Sequence, residues 1–297
     1  MRRPTKHLCL FIITVGCSLL VTAQPRSNSD VGITITANGY HLEDADIDTG
    51  GSWSTSSLGI KVGKSWQSDG GDKLSLALQY EHRDHSFSGD FSPWDSVQTA
   101  GISGRWTSQL DDKWGLYVAP SIELSKEDGA DSGDALEYGA IVAFNRFYSR
   151  DLQIGYGAGF FTGLEDTTAF PLILVRWQID ESWYVGNPFT PGPVGPAGLE
   201  IGYRSSENWS IALGTAYRTH RFKLDDDGPV PNGYGETQAM ALFVRSSHDF
   251  QNGSELHLYA GTLLAGELSL DDASGSTITK TDFDPALLIA IAWQSRF

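Results

Sequence analysis

The chain has 297 residues, a formal net charge of −16 and only two cysteines. Such acidity excludes a nucleic-acid partner, because phosphate backbones are met by basic surfaces. No stretch beyond the first two dozen residues stays apolar for the roughly 20 positions that a membrane-crossing helix needs, so any span must be made of strands closed into a barrel.

Residues 1–23 read as a signal peptide. Arg2, Arg3 and Lys6 form a basic start, Leu8 to Val21 an apolar run, and Val21-Thr22-Ala23 a small-residue cleavage site before Gln24. Both cysteines, Cys9 and Cys17, fall in this segment. The remaining unit, 24–297, then has no thiol for a disulfide or a thiolate metal site.

From residue 31 onward the chain reads as strands near 31–41, 56–66, 73–84, 96–107, 113–125, 135–147, 152–162, 169–179, 182–187, 197–204, 208–222, 237–249, 254–266 and 285–297. Tight turns such as Asp69-Gly70-Gly71-Asp72, Asp111-Asp112 and Gln251-Asn252-Gly253 separate some of them. Their Gly, Asn and Asp residues suit hairpins that need positive φ or local side-chain bonds. Longer polar loops, near 42–55, 85–95, 126–134, 163–168, 188–196, 223–236 and 267–284, alternate with the short turns. Short turns at one end and long loops at the other predict an all-β, antiparallel up-and-down transmembrane barrel, its short turns facing the periplasm. The count is 14 strands. It falls to 12 if 182–187 and 197–204, which bracket Pro188, Pro191, Pro193 and Pro196, are not wall strands.

The aromatic residues point the same way. Trp66, Trp106, Trp114, Trp177, Trp183, Trp209 and Trp293 all fall within a few residues of a short turn or the end of the chain. Indole rings prefer the headgroup boundary, so these seven predict one girdle; Trp53 and Trp94 fall instead in long loops. With the girdle facing lipid, Leu74, Leu76, Leu78 and Tyr80 point outward, as do Ile122, Ile211 and Leu213. Inward positions such as Gly155, Gly157, Gly159, Gly202 and Gly214 predict a lumen with little side-chain bulk.

The last segment, Leu287-Leu288-Ile289-Ala290-Ile291-Ala292-Trp293-Gln294-Ser295-Arg296-Phe297, places a large apolar residue at most alternate positions and finishes on an aromatic. On this ending the chain resembles bacterial outer-membrane β-barrel proteins of a small, largely uncharacterised kind with 12–14 strands. Some of these are grouped with transporters of aromatic or fatty compounds. The resemblance implies a place in the cell outer membrane among lipid and lipopolysaccharide. It also implies that Phe297 belongs to the signal read by the barrel assembly machinery. Ser295 departs from the usual apolar residue at its position.

The chemistry-bearing residues are the inward charges. Lys61, Arg83, Arg105, Arg176, Arg204, Arg218, Arg245 and Arg296 face the lumen on this assignment, with Glu81, Glu123, Glu137, Glu200 and Glu255. A positive wall biases passage toward anions. The plainer account is that these groups pair with one another, since a lipid-facing Arg at mid-membrane costs roughly 2–4 kcal/mol and must go inside or to the rims whatever the function. Asp44, Asp46 and Asp48 are spaced as in a calcium loop, but Thr55 stands where a bidentate Glu is needed, which leaves a solvated acidic loop. No metal or other cofactor is assigned. Candidate nucleophiles are local pairs, His85 with Ser86 and the run Ser246-Ser247-His248-Asp249, whose neighbours must point to opposite faces of a strand.

The expectation is therefore a passive channel or facilitator for a small-molecule solute. The alternatives are a non-conducting structural or adhesive barrel, and less favourably an outer-membrane hydrolase.

Overall fold

The computed structural model describes residues 31–195 and 197–297. The signal peptide expected over 1–23 lies outside them. The strands are β1 (Gly32–Asp46), β2 (Ser52–Gln67), β3 (Lys73–Phe87), β4 (Ser96–Gln109), β5 (Trp114–Glu127), β6 (Leu136–Phe147), β7 (Leu152–Gly163) and β8 (Asp166–Gln178). They continue as β9 (Trp183–Gly186), β10 (Gly198–Arg204), β11 (Trp209–Lys223), β12 (Tyr234–Asp249), β13 (Ser254–Asp271), β14 (Thr277–Phe283) and β15 (Ala286–Arg296).

Consecutive strands pair antiparallel from β1 to β13, β13 pairs with β15, and β15 returns to β1. The ring is closed and has 14 wall strands, including both short proline-flanked ones. At the seam, the Ile33 amide donates to the Phe297 carbonyl at 3.0 Å, and the Phe297 amide donates back at 2.9 Å. The fifteenth strand, β14, pairs with the outer end of β13 and meets Ile47, just beyond β1, through a single bridge at Phe283. Its threonine-rich sequence reads as loop because its partner is an extension of β13 beyond the wall, which no local pattern announces.

The facing follows the pleat. Leu74, Leu76, Leu78, Ile102, Ile122, Ile211 and Leu213 are exposed, as a lipid-facing belt requires. Trp66, Trp106, Trp177, Trp183, Trp209 and Trp293 are exposed beside the short turns, and Trp114 is partly exposed there. Trp66, Leu74 and Trp106 lie in one cross-strand row.

The interior departs from expectation in three ways. First, the inward glycines do not leave space. Gly159, Gly202 and Gly214 stand directly opposite Phe170, Tyr184 and Phe243, whose rings lie where a Cβ would be. Glycine here lets an aromatic ring lie flat against the neighbouring strand.

Second, the outer mouth is filled. Trp53, expected in a loop, belongs to β2 and is only 2% exposed; Trp94 stays in its loop yet is 3% exposed. Both pack with Phe222, Phe283, Leu268 and Leu288 in an apolar cap. Ring centroids stand 5.2 Å apart for Trp94–Phe222 and 4.8 Å for Trp53–Phe283. Loops are tied down over the cap by Glu127, which accepts from the Asp95 and Asp225 amides at 2.8 and 3.0 Å.

Third, residues 188–195, expected in an outer polar loop, turn into the lumen. Strands β9 and β10 cover only the short-turn half of the wall. Their connection therefore starts at mid-barrel and its apolar residues go where water is excluded. Val194 is fully buried with Ala216, Ala241, Phe243 and Tyr259, while Phe189 packs beside Phe161, Phe170 and Leu174. The Tyr259 hydroxyl donates to the Pro191 carbonyl at 2.7 Å.

Candidate functional site

Between the short turns and the inserted segment lies a cavity of about 480 Å³. Small-molecule sites commonly measure roughly 300–1,000 Å³. Its roof is formed by Phe189, Thr190 and Pro191 of the inserted segment, with Leu174 and Tyr117 of the wall. Its mouth is edged by Glu207, Asn208 and Asp249, at the short turns. Asn187 anchors the start of the insertion to the edge of β8. Its side-chain oxygen accepts from the Val175 amide at 2.7 Å, and its side-chain nitrogen donates to the Ile173 carbonyl at 3.2 Å and the Gly198 carbonyl at 2.9 Å. These bonds occupy backbone groups that the short β9 leaves without a strand partner.

Five of the predicted lumen cations meet in this one space, Arg105, Arg176, Arg204, Arg245 and Arg296, with Glu200 and Glu255. Arg245 bonds Glu200 at 2.5 Å, with the Tyr184 hydroxyl 3.0 Å from the same guanidinium nitrogen. Arg296 stands 3.5 Å from Glu255. Arg105 donates to Ser75 Oγ at 3.2 Å. Arg204 donates instead to neutral acceptors, the Glu181 carbonyl at 2.9 Å and Gln178 Oε1 at 3.3 Å, and lies 6.0 Å from the Tyr184 ring. Neither Arg204 nor Arg176 has a carboxylate within 4 Å among the described residues.

The other predicted charges lie outside this cavity. Arg83 pairs with Glu81, which also accepts from Ser57 at 2.8 Å. Arg218 faces the Tyr40 ring at 5.5 Å from one side and Arg83 faces it at 5.8 Å. Glu123 accepts from Gln79 at 2.8 Å and stands opposite Glu137 in register. Lys61 lies opposite Gln79 on the inner face of β2. Pairing therefore accounts for Arg83, Arg245 and Arg296 but not for Arg176, Arg204 and Arg218.

No family model matches the chain, and no curated protein matches it. Solved structures do. An outer membrane channel from Pseudomonas putida F1 superposes with a TM-score of 0.51 at 10% identity, over 92% of this chain and 100% of that one. The TodX monoaromatic hydrocarbon channel (a deletion mutant) and a Pseudomonas aeruginosa FadL homologue each give 0.48 at 9% identity, over 90% of this chain and 91% of theirs. The chain has the fold of a bacterial outer-membrane β-barrel.

Within this outer-membrane barrel the local nucleophile candidates separate as strand geometry demands. His248 turns outward onto Trp209, ring centroids 4.4 Å apart, while Ser247 turns in. His85 is buried against Phe222, and His82 pairs with Asp84 on the exposed side. The serine–histidine contact that does form runs between strands: Ser247 Oγ lies 2.8 Å from His257 Nδ1, and His257 Nε2 lies 3.6 Å from Glu255. Nothing local in the sequence reveals it, because Ser247 and His257 meet only through the β12–β13 register. Arg221 was also hidden, since it lies near the end of a predicted strand. It bonds Asp271 at 2.6 Å and the Leu164 carbonyl at 3.1 Å, tying β11 to the end of β13 and to the β7–β8 turn. Asp44 and Asp46 lie within β1 instead of a loop, and no cluster of potential metal ligands occurs among the described residues.

Proposed function

We propose that this barrel is a passive, non-enzymatic conduit for small solutes across the outer membrane, held shut in this conformation by the inserted segment and the apolar cap. The observation that carries the reading is the cavity itself. A barrel serving only as a surface scaffold gains nothing from a solute-sized space with two guanidiniums left without acids, in a protein of net charge −16. The Pseudomonas putida neighbour, an outer membrane channel, agrees with it. Lipid and lipopolysaccharide would surround the belt, and the barrel assembly machinery would act on the last strand.

The test is conductance of the refolded mature protein in a planar bilayer under a salt gradient. Infrequent openings selective for anions are expected, because charged rings in a pore select the opposite ion. Silence from protein shown to be folded would sink the conduit and favour a structural barrel.

The Ser247–His257–Glu255 arrangement belongs to the polar wall on this reading, since the Ser247 hydroxyl also accepts from Arg245. A fluorophosphonate probe should therefore leave the protein unlabelled. Labelling that vanishes in Ser247→Ala would show a reactive serine and overturn the non-enzymatic assignment.

A further inference from the structure

The cavity is polarised from its mouth to its roof. Six cationic side chains (Lys73, Arg105, Arg176, Arg204, Arg245 and Arg296) line it against four carboxylates (Glu200, Glu207, Asp249 and Glu255), an excess of two. Arg245 and Arg296 have acids of their own. Of the remaining cations, Arg176 and Arg204 have no carboxylate within 4 Å among the described residues. Gln178 lies two residues beyond Arg176 on the same inward face of β8, and its Oε1 accepts from Arg204 Nη2. This places the two guanidiniums on the same part of the wall. A guanidinium without an acid is a planar fork of donors suited to a carboxylate. Moving along β8 away from the mouth, the next inward side chain after Arg176 is Leu174, followed by Leu172. Leu174, Tyr117 and Phe189 give the roof an apolar surface with no charged group among them.

We infer that the cavity is a binding site for small monocarboxylates with an apolar body: the carboxylate meets Arg176 and Arg204, and the body lies against Leu174, Tyr117 and Phe189. The inference rests on the solute-conduit reading and names its substrate class. An inorganic anion matches only the guanidinium end and a neutral aromatic only the roof. The two halves together select molecules that carry both.

The experiment is calorimetric titration of the folded, detergent-solubilised protein with benzoate, benzyl alcohol and inorganic phosphate. Benzoate is expected to bind at least ten-fold more tightly than either of the others. Arg176→Gln is expected to weaken benzoate about ten-fold without disturbing the fold, because the Arg176 side chain has no acid partner among the described residues. Arg176→Lys should recover part of the loss, and Leu174→Asp should weaken benzoate from the other end. Equal binding of benzyl alcohol and benzoate would overturn the inference. So would full benzoate affinity in Arg176→Gln, or phosphate binding as tight as benzoate. A protein that conducts but binds no benzoate would defeat this inference alone. One that binds benzoate but never conducts would defeat the conduit and leave the site.

Discussion

Replacing Gly192 with Val should turn a mostly closed protein into one with frequent, larger openings. A Cβ at Gly192 would sit 2.6 Å from the Tyr259 ring, closer than packed atoms tolerate. Tyr259 is itself buried and packed against Phe243 of the wall, ring centroids 5.8 Å apart, so the cheaper response is for the inserted segment to leave. Overpacking of this kind commonly costs roughly 1–3 kcal/mol, the scale at which a closed state gives way to an open one. Tyr259→Phe is the milder companion. It removes one buried hydrogen bond worth roughly 0.5–1.5 kcal/mol, which corresponds to about a two- to ten-fold rise in open probability. Single-channel recording checks both. Unchanged conductance in Gly192→Val would mean that the segment does not obstruct the pathway and that the apolar cap alone sets the closed state.

The second large effect is on stability. Glu200→Ala should cost roughly 3–5 kcal/mol, because it leaves Arg245 charged and buried without its carboxylate. Glu200 and Arg245 are each about 5% exposed, and Tyr184 offers the guanidinium only a neutral hydroxyl. The double change Glu200→Leu with Arg245→Leu should recover most of that loss, since a well-packed apolar pair of similar volume is often as stable as a buried ion pair. Urea unfolding in lipid vesicles, followed by tryptophan fluorescence, measures the difference. A Glu200→Ala variant as stable as the parent would mean that water or a bound anion already compensates Arg245.

Much of the wall is legible in the sequence. The alternation in Leu74-Ser75-Leu76-Ala77-Leu78 predicts which side meets lipid because successive strand residues must face opposite ways. The tryptophans mark the short-turn boundary for the same reason: their position follows from the membrane, an environment common to every strand. The extra strand β14 and the ends of β2, β12 and β13 are not legible because they lie beyond the bilayer. There the pairing partner, not the solvent on each face, decides what is strand.

The candidate site is legible in its parts only. That Arg105, Arg176, Arg204 and Arg296 lie near one end of the lumen follows from facing and distance to a turn. Which of them pairs with an acid does not. Arg245 and Glu200 come from β12 and β10, 45 residues apart, and meet across β11, where Glu200 stands opposite Gly214 and Arg245 opposite Ala212.

The sequence by itself determined a closed antiparallel barrel, its lipid-facing belt and its inward charges, because each depends on a period-two pattern meeting two different solvents. Only the tertiary structure decided that the wall has 14 strands instead of 12, that residues 188–195 enter the lumen, that aromatic rings fill the space above the glycines, and that two arginines go without acids. Those outcomes depend on contacts between strands distant in sequence, where shape and register settle which side chains meet.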